Sequence, residues 1–436
     1  MTTTLAPASE PAASPPLTVR DLMHAEVSAR LAAAARRGEA DDRARLVETL
    51  VTDVLREHSE AALADGRAPM AVETEQALRR ALLDAFLGLG DLQPYIDDPN
   101  IENIDVNGCD RVFVTYADGT RVSVPPVASS DEELADMLRK LAASLGVQER
   151  RFDPALPRLN LRLPGGARLF AVQAVTERVC VSIRRHRFLH LSLPQLADLG
   201  LFPPAMAAMF EAMVAARLNI VVSGGMGAGK TTMVRALCSA IGPEERIITV
   251  EDPYELGLDT DPAHPDVVPM QPRDPNIEGS GGIDMTTLVR WATRMSPNRV
   301  IVGEVRGPEV IPLLNALNQG TDGSMTTIHA SSTSEAFSKI AAYARQSAER
   351  LPFDVTYALI GGGVDVVVQL GRATDGTRVV TGLREVVGFD TGQVRSNEIL
   401  RPGPDRRAVP ASRFTDTMLD RLAEAGFDAT SIGGGW

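Results

Sequence analysis

The sequence predicts an α/β protein whose carboxyl-terminal half is built on a mainly parallel sheet, preceded by an α+β domain and a helical segment. Three observations predict it. Short segments apolar on both faces, Asn219 to Ser223, Arg246 to Val250, Arg299 to Val302, Met325 to Ile328 and Asp365 to Leu370, alternate with helical stretches, as in a sheet covered on both sides. Between 100 and 186 the pattern changes to short strands separated by turns. Upstream, residues 18–88 carry apolar positions at helical spacing.

A chain of 436 residues has room for two or three domains with cores. Residues 1–17, rich in Ala, Pro, Ser and Thr, lack a basic start and an apolar run and read as a disordered tail. The helical segment follows over 18–90, the α+β domain over 91–190, a linker with Pro194 and Pro203-Pro204 over 191–204, and the parallel-sheet domain over 205–436. Hydrophobic content of 44% and charged content of 23% are ordinary for a soluble protein. No run approaches the roughly 20 apolar residues that span a bilayer, so a cytoplasmic location is expected. A net charge of −13 argues against a primary nucleic-acid binder, and no stable nucleic acid is expected. The three cysteines, Cys109, Cys180 and Cys238, cannot make a four-thiolate zinc site and read as buried, reduced thiols.

In the helical segment Val19, Leu22, Met23, Val27 and Leu31 share a face. Leu46, Leu50, Val54 and Leu55 form a second stripe, and Leu78, Leu82, Leu83 and Phe86 a third. Such stripes suit a cover for a neighbouring domain or a docking module. In the α+β domain, strands are expected over Ile101 to Val106, Arg111 to Tyr116 and Arg121 to Val124, with Asn107-Gly108 and Asp118-Gly119 at the turns. A helix at 131–145 and strands at 161–163, 168–175 and 179–183 complete it. Two strands near 378–388 and 394–399 and a helix near 413–426 close the chain.

Gly224-Gly225-Met226-Gly227-Ala228-Gly229-Lys230-Thr231 matches the P-loop pattern completely, after an apolar strand and before a helix expected over Thr232 to Ile241. The glycines let successive main-chain N–H groups turn onto a phosphate, and the helix start adds its positive end. Lys230 reaches the β- and γ-phosphates and Thr231 offers its hydroxyl to Mg²⁺. ATP and Mg²⁺ are therefore the expected ligands, contacted by Gly224 through Thr232. Three strand ends add candidates. Glu251, before Asp252-Pro253, can activate the attacking water or simply solvate a strand end. Glu304, after Gly303, can hold Mg²⁺ through a water, share the base role, or again be strand-end solvation. His329 can touch the γ-phosphate and report its loss, although a lone histidine is more often structural.

Taken in order, these pieces resemble the secretion ATPases of the type II/type IV superfamily, and within it the tight-adherence (CpaF-type) pilus ATPases. The resemblance runs over roughly 84–400 and includes Ile104-Asp105-Val106-Asn107-Gly108, Leu163-Pro164-Gly165-Gly166-Ala167-Arg168, the P-loop and Val250-Glu251-Asp252-Pro253. It continues through His264-Pro265-Asp266-Val267-Val268, Asn276-Ile277-Glu278-Gly279, the run from Arg294 to Gly307, and His329. It implies a RecA-like ATPase domain and an ATP-driven homo-hexamer on the cytoplasmic face of an inner-membrane platform. It also implies that Arg168 and Arg184 reach the nucleotide, against the alternative that they are solvated strand charge. A RecA-like motor moving nucleic acid, as in conjugation, is the second reading. This chain departs from the family at Ser296, Asn298 and Gln319-Gly320-Thr321, and lacks the tetracysteine zinc insert of many type II members.

Overall fold

A computed structural model describes residues 18–37, 43–145, 152–185, 191–275 and 278–428. The expected tail 1–17 and the motif residues Asn276 and Ile277 lie outside them. The chain divides into two compact units, one of residues 1–159 with 169–185, the other of 160–168 with 186–436.

The first unit opens with helices α1 (Val19–Arg37), α2 (Arg43–Ala64) and α3 (Val72–Leu87). The three stripes meet: Met23, Val27, Val47, Val51, Val54, Leu55 and Leu82 form one buried cluster. A short α4 (Gln93–Asp97) leads into β1 (Ile101–Asn107), β2 (Val112–Tyr116) and β3 (Arg121–Val124), then α5 (Asp131–Ser144), β4 (Arg158–Arg162), β5 (Arg168–Val172) and β6 (Cys180–Arg184). The strands form one sheet in the order β3-β2-β1-β6-β5-β4, and β1 pairs antiparallel with both β2 and β6. The Ser130 hydroxyl caps α5 by accepting from Glu133 N–H. Arg178 ties the start of α5 to the sheet by donating to Asp131 at 2.8 and 2.7 Å.

The second unit contains α6 (Leu193–Asp198), α7 (Pro204–Ala215), β7 (Ile220–Gly224), α8 (Lys230–Cys238), β8 (Ile247–Val250), β9 (Val267–Met270), α9 (Met285–Ala292), β10 (Arg299–Val305) and α10 (Val310–Leu317). After them come β11 (Met325–Ile328), α11 (Glu335–Gln346), α12 (Phe353–Gly363), β12 (Val366–Arg372), β13 (Arg378–Asp390), β14 (Gln393–Pro402), β15 (Ala408–Pro410) and α13 (Asp416–Glu424). The nine-stranded sheet has the order β15-β14-β13-β12-β7-β11-β10-β8-β9. From β12 to β9 every pairing is parallel, while β13, β14 and β15 add antiparallel strands at one edge. Strands β7, β8 and β11 are buried along their whole length, which is why they lack apolar–polar alternation, with Ser223, Thr249, Thr326 and Thr327 buried among the apolar side chains. The stretch expected as a linker instead starts two helices. Ser192 caps α6 with a full capping box, and Leu193 and Leu196 join the core.

The amino-terminal edge of this sheet is pinned by a buried arginine. Arg299, only 2% exposed, donates Nε and Nη2 to Glu245 at 2.8 and 2.7 Å and Nη2 to the Val214 carbonyl at 3.0 Å. Arg217 reaches the same carboxylate at 2.6 Å. Asn298 serves this edge too, accepting from Arg246 N–H at 2.7 Å. Among the described residues no helix is long and apolar enough to cross a membrane.

Candidate functional site

The carboxyl ends of β7, β8, β10 and β11 converge, because parallel strands bring their last residues to one edge. At β7 the chain turns through the glycine-rich loop into α8. Gly227 and Gly229 sit at φ 68° and 96°, where a side chain is strained. Gly224 needs its missing Cβ for another reason: the atom would lie 2.7 Å from the Leu370 carbonyl oxygen on β12. The Met226 side chain stands 88% exposed at the tip of the loop, while Ala228 is buried and Gly225 open to solvent.

Lys230, at the first position of α8, is buried. Its ammonium donates to the carbonyls of Gly224 and Gly225 at 3.2 and 3.1 Å and lies 3.1 Å from His329 Nδ1. Glu304 completes the cluster, with one oxygen 2.8 Å from His329 Nε2 and 3.9 Å from the ammonium. Its other oxygen accepts from Arg306 Nε at 2.6 Å. Burial, reinforced by the Lys230 and Arg306 charges, outweighs Glu304 and holds His329 below its ordinary pKa. His329 is therefore neutral near pH 7, able to accept from one ring nitrogen and donate from the other.

A second group forms around Thr231. Its hydroxyl donates to Glu255 at 3.2 Å, and Glu255 takes Arg168 Nη1 at 3.4 Å. Glu255 lies in the turn after β8, and Glu251 shapes that turn. Glu251 is 3% exposed, and one oxygen accepts from the main-chain N–H groups of Glu255 and Leu256 at 2.8 and 2.7 Å. The other accepts from the Thr249 hydroxyl at 2.9 Å. Burial pushes this carboxyl up despite those bonds. Glu251 was expected to meet the attacking water. Its geometry corrects that expectation, since both oxygens are turned inward onto protein donors. Arg235, on α8, holds the same turn from below by donating to the Leu256 carbonyl at 3.0 Å; burial lowers it to about 10.

Lys230, Thr231, Glu304, His329 and Glu251 thus lie in the second unit at one sheet edge, with Thr232 half-buried behind the loop, and Arg168, the first residue of β5, is grouped with that unit and paired with Glu255. Arg184, exposed at the end of β6, belongs to the first unit. Sequence reasoning missed Glu255 and Arg306. Glu255 is four residues past Glu251 and its partners lie far away in sequence; Arg306 follows Glu304 by two, within the run that carries the family resemblance.

The oxygen donors near the loop suit a hard cation such as Mg²⁺, which is typically held by one or two protein oxygens together with phosphates. Thr231 is the donor beside the lysine, and among the described residues no group of three or more His, Cys, Asp or Glu side chains forms a metal cage of its own.

The model of the family "Type II/IV secretion system protein" matches residues 90–376. A putative conjugal transfer protein of Mycobacterium tuberculosis is 36% identical over 308 residues, 69% of this chain and 84% of that protein. The type IV secretion system protein VirB11 of Brucella suis is 30% identical over 348 residues, 71% of this chain and 92% of that protein. The solved VirB11 ATPase of the Brucella suis type IV secretion system, in complex with sulphate, covers 71% of this chain and 96% of its own at 28% identity, with a TM-score of 0.36.

Proposed function

The chain belongs to the type II/IV secretion system protein family, and on that premise we propose that it is an ATP-hydrolysing motor that powers pilus assembly or secretion. We propose further that it works as a homo-hexamer against inner-membrane platform proteins, and that a tight-adherence pilus is its system. One observation carries the enzymatic part: a complete phosphate loop whose buried lysine meets Glu304 and His329 at the same sheet edge.

In this reading the main-chain N–H groups of residues 225–231 and the Lys230 ammonium bind the β- and γ-phosphates. Mg²⁺, held by Thr231 and the phosphates, supplies charge neutralisation at the transferring group. Glu255 accepts the Thr231 hydroxyl proton and so orients its lone pairs. Glu304 is the carboxylate left on the lysine side of the loop, and we assign it the orientation of the attacking water. Glu251, the other candidate for that role, is a positioning residue that holds the turn bearing Glu255. His329, neutral and next to both Lys230 and Glu304, is suited to sense the terminal phosphate. Arg168, drawn to Glu255, and Arg184 supply further cations when the ring closes.

Phosphate release by the purified chain, with oligomer size followed by light scattering, tests the proposal. Wild type should hydrolyse ATP more per subunit as hexamers form, and Lys230→Ala should lose about 10²–10³ in rate. Hydrolysis by Lys230→Ala at the wild-type rate would sink the site assignment. The relatives named for conjugal transfer favour a second reading, transfer of nucleic acid. Strong stimulation of hydrolysis by DNA would select it, and the acidic balance of the chain weighs against it.

A further inference from the structure

The phosphate loop is flanked on two sides. Strand β7 runs between β11 and β12. On the β11 side stands His329, against the Lys230 ammonium. On the β12 side Leu370 pairs with Gly224, the chain turns over residues 373–377, and β13 returns with Arg378 as the partner of Arg372. Arg378 donates Nε to the Gly227 carbonyl at 3.0 Å. Its Cδ lies 3.8 Å from where a Cβ on Gly229 would stand, so the side chain lies along the outside of the loop.

A trans peptide points its C=O and the following N–H in opposite directions. A Gly227 carbonyl held outward by Arg378 therefore turns the Ala228 N–H inward. There it meets the Gly225 carbonyl at 3.4 Å, the same oxygen that accepts from Lys230 at 3.1 Å. The amide and the ammonium converge on one point, as donors to a single anionic oxygen must. Gly227 is conformationally permissive at φ 68°, so its own backbone does little to fix this orientation.

We infer that Arg378 is a positioning residue for the nucleotide, holding the crown of the loop so that the Ala228 N–H faces the phosphates. The groups assigned to the terminal phosphate, Glu304 and His329, lie on the opposite flank. Arg378 therefore serves the phosphates that ATP and ADP share. The inference rests on the nucleotide reading of the loop.

The test uses the full chain and fluorescent ADP and ATP analogues, with wild type, Lys230→Ala, Arg378→Ala and Arg378→Lys. Arg378→Ala should weaken both nucleotides by the same factor, roughly tenfold, the equivalent of about 1.4 kcal/mol. KM for ATP should rise in step, and kcat at saturation should fall far less. The melting temperature without nucleotide should stay at the wild-type value, because the side chain is exposed. Arg378→Lys keeps the charge without the Nε donor and should bind as weakly as the alanine variant. Unchanged affinity for both nucleotides, a loss confined to ATP, a fall in kcat with affinity kept, or full rescue by lysine would each overturn the inference. A wild-type protein that binds neither nucleotide, or a Lys230→Ala that binds and hydrolyses normally, would instead overturn the nucleotide reading beneath it.

Discussion

Replacing Glu304 by glutamine should move binding and turnover in opposite directions. The carboxylate is 3.9 Å from the Lys230 ammonium and 2.8 Å from His329 Nε2. At about 4 Å and an effective dielectric of about 20, two unit charges attract by about 4 kcal/mol before any desolvation cost. A phosphate entering the loop must compete with that attraction and also face the negative charge of Glu304. Glutamine keeps the shape, can still accept from Arg306, and removes the charge. Nucleotide affinity should therefore hold or rise, by up to about tenfold if 1.4 kcal/mol of the competition is recovered. With Glu304 in its proposed role of orienting the attacking water, that charge is lost as well, and turnover should fall by about 10²–10³, or about 2.7–4 kcal/mol of barrier. Equilibrium titration with a non-hydrolysable ATP analogue and single-turnover phosphate release measure the two halves separately. Glu304→Gln turning over at the wild-type rate would refute the role given to this residue. Affinity and turnover falling together would mean that Glu304 holds the loop in shape rather than acting on water.

Glu245→Ala should leave Arg299 buried with only carbonyl partners, costing about 3–5 kcal/mol and lowering Tm by roughly 6–15 °C; a melt within a degree or two of wild type would show that the pair is idle. Glu245→Ala combined with Arg299→Met should regain part of the loss. Gly224→Ala should abolish nucleotide binding, because its Cβ would meet the Leu370 carbonyl oxygen at 2.7 Å and force the loop away from β12; an ordinary titration curve for this variant would contradict the close approach. Glu251 has a raised folded pKa, so its contribution to stability is fully present below its unfolded value and is lost as pH rises through the folded one. Glu251→Gln, which keeps an acceptor for the two amides, should flatten the decline of stability with rising pH; denaturant unfolding between about pH 5 and pH 8 would reveal parallel slopes if the reasoning is wrong.

What the sequence made legible were features written over a few consecutive residues. The phosphate loop is one, since a run of glycines ending in Lys-Thr after an apolar strand specifies its own backbone. The parallel sheet is another, since burial on both faces leaves short strands without the alternation of a half-exposed strand, rich in apolar and β-branched residues. The stretch expected as a linker over 191–204 holds the starts of α6 and α7, each with a first-turn proline. There proline opens helices, at the positions where the missing N–H has no intrahelical partner to lose. Glu251 also departs from expectation. Its position at a strand end suggests exposure to the nucleotide, but the turn beyond it folds back and claims both oxygens. Glu255 and Arg378 were invisible because their partners come from elsewhere in the chain. Arg168 is 87 residues from Glu255, and Gly227 is 151 residues from Arg378.

The buried Arg299 and the half-buried carboxylate of Glu304 sit on one strand, β10, five residues and about 16 Å of extended chain apart. Substitutions that far apart, with no shared partner, generally combine additively. The strand is thus a rod with a clamp at one end and a tool at the other. A protein engineer who tightens the clamp, by repacking around Glu245 or Arg217, should gain heat tolerance without retuning the tool.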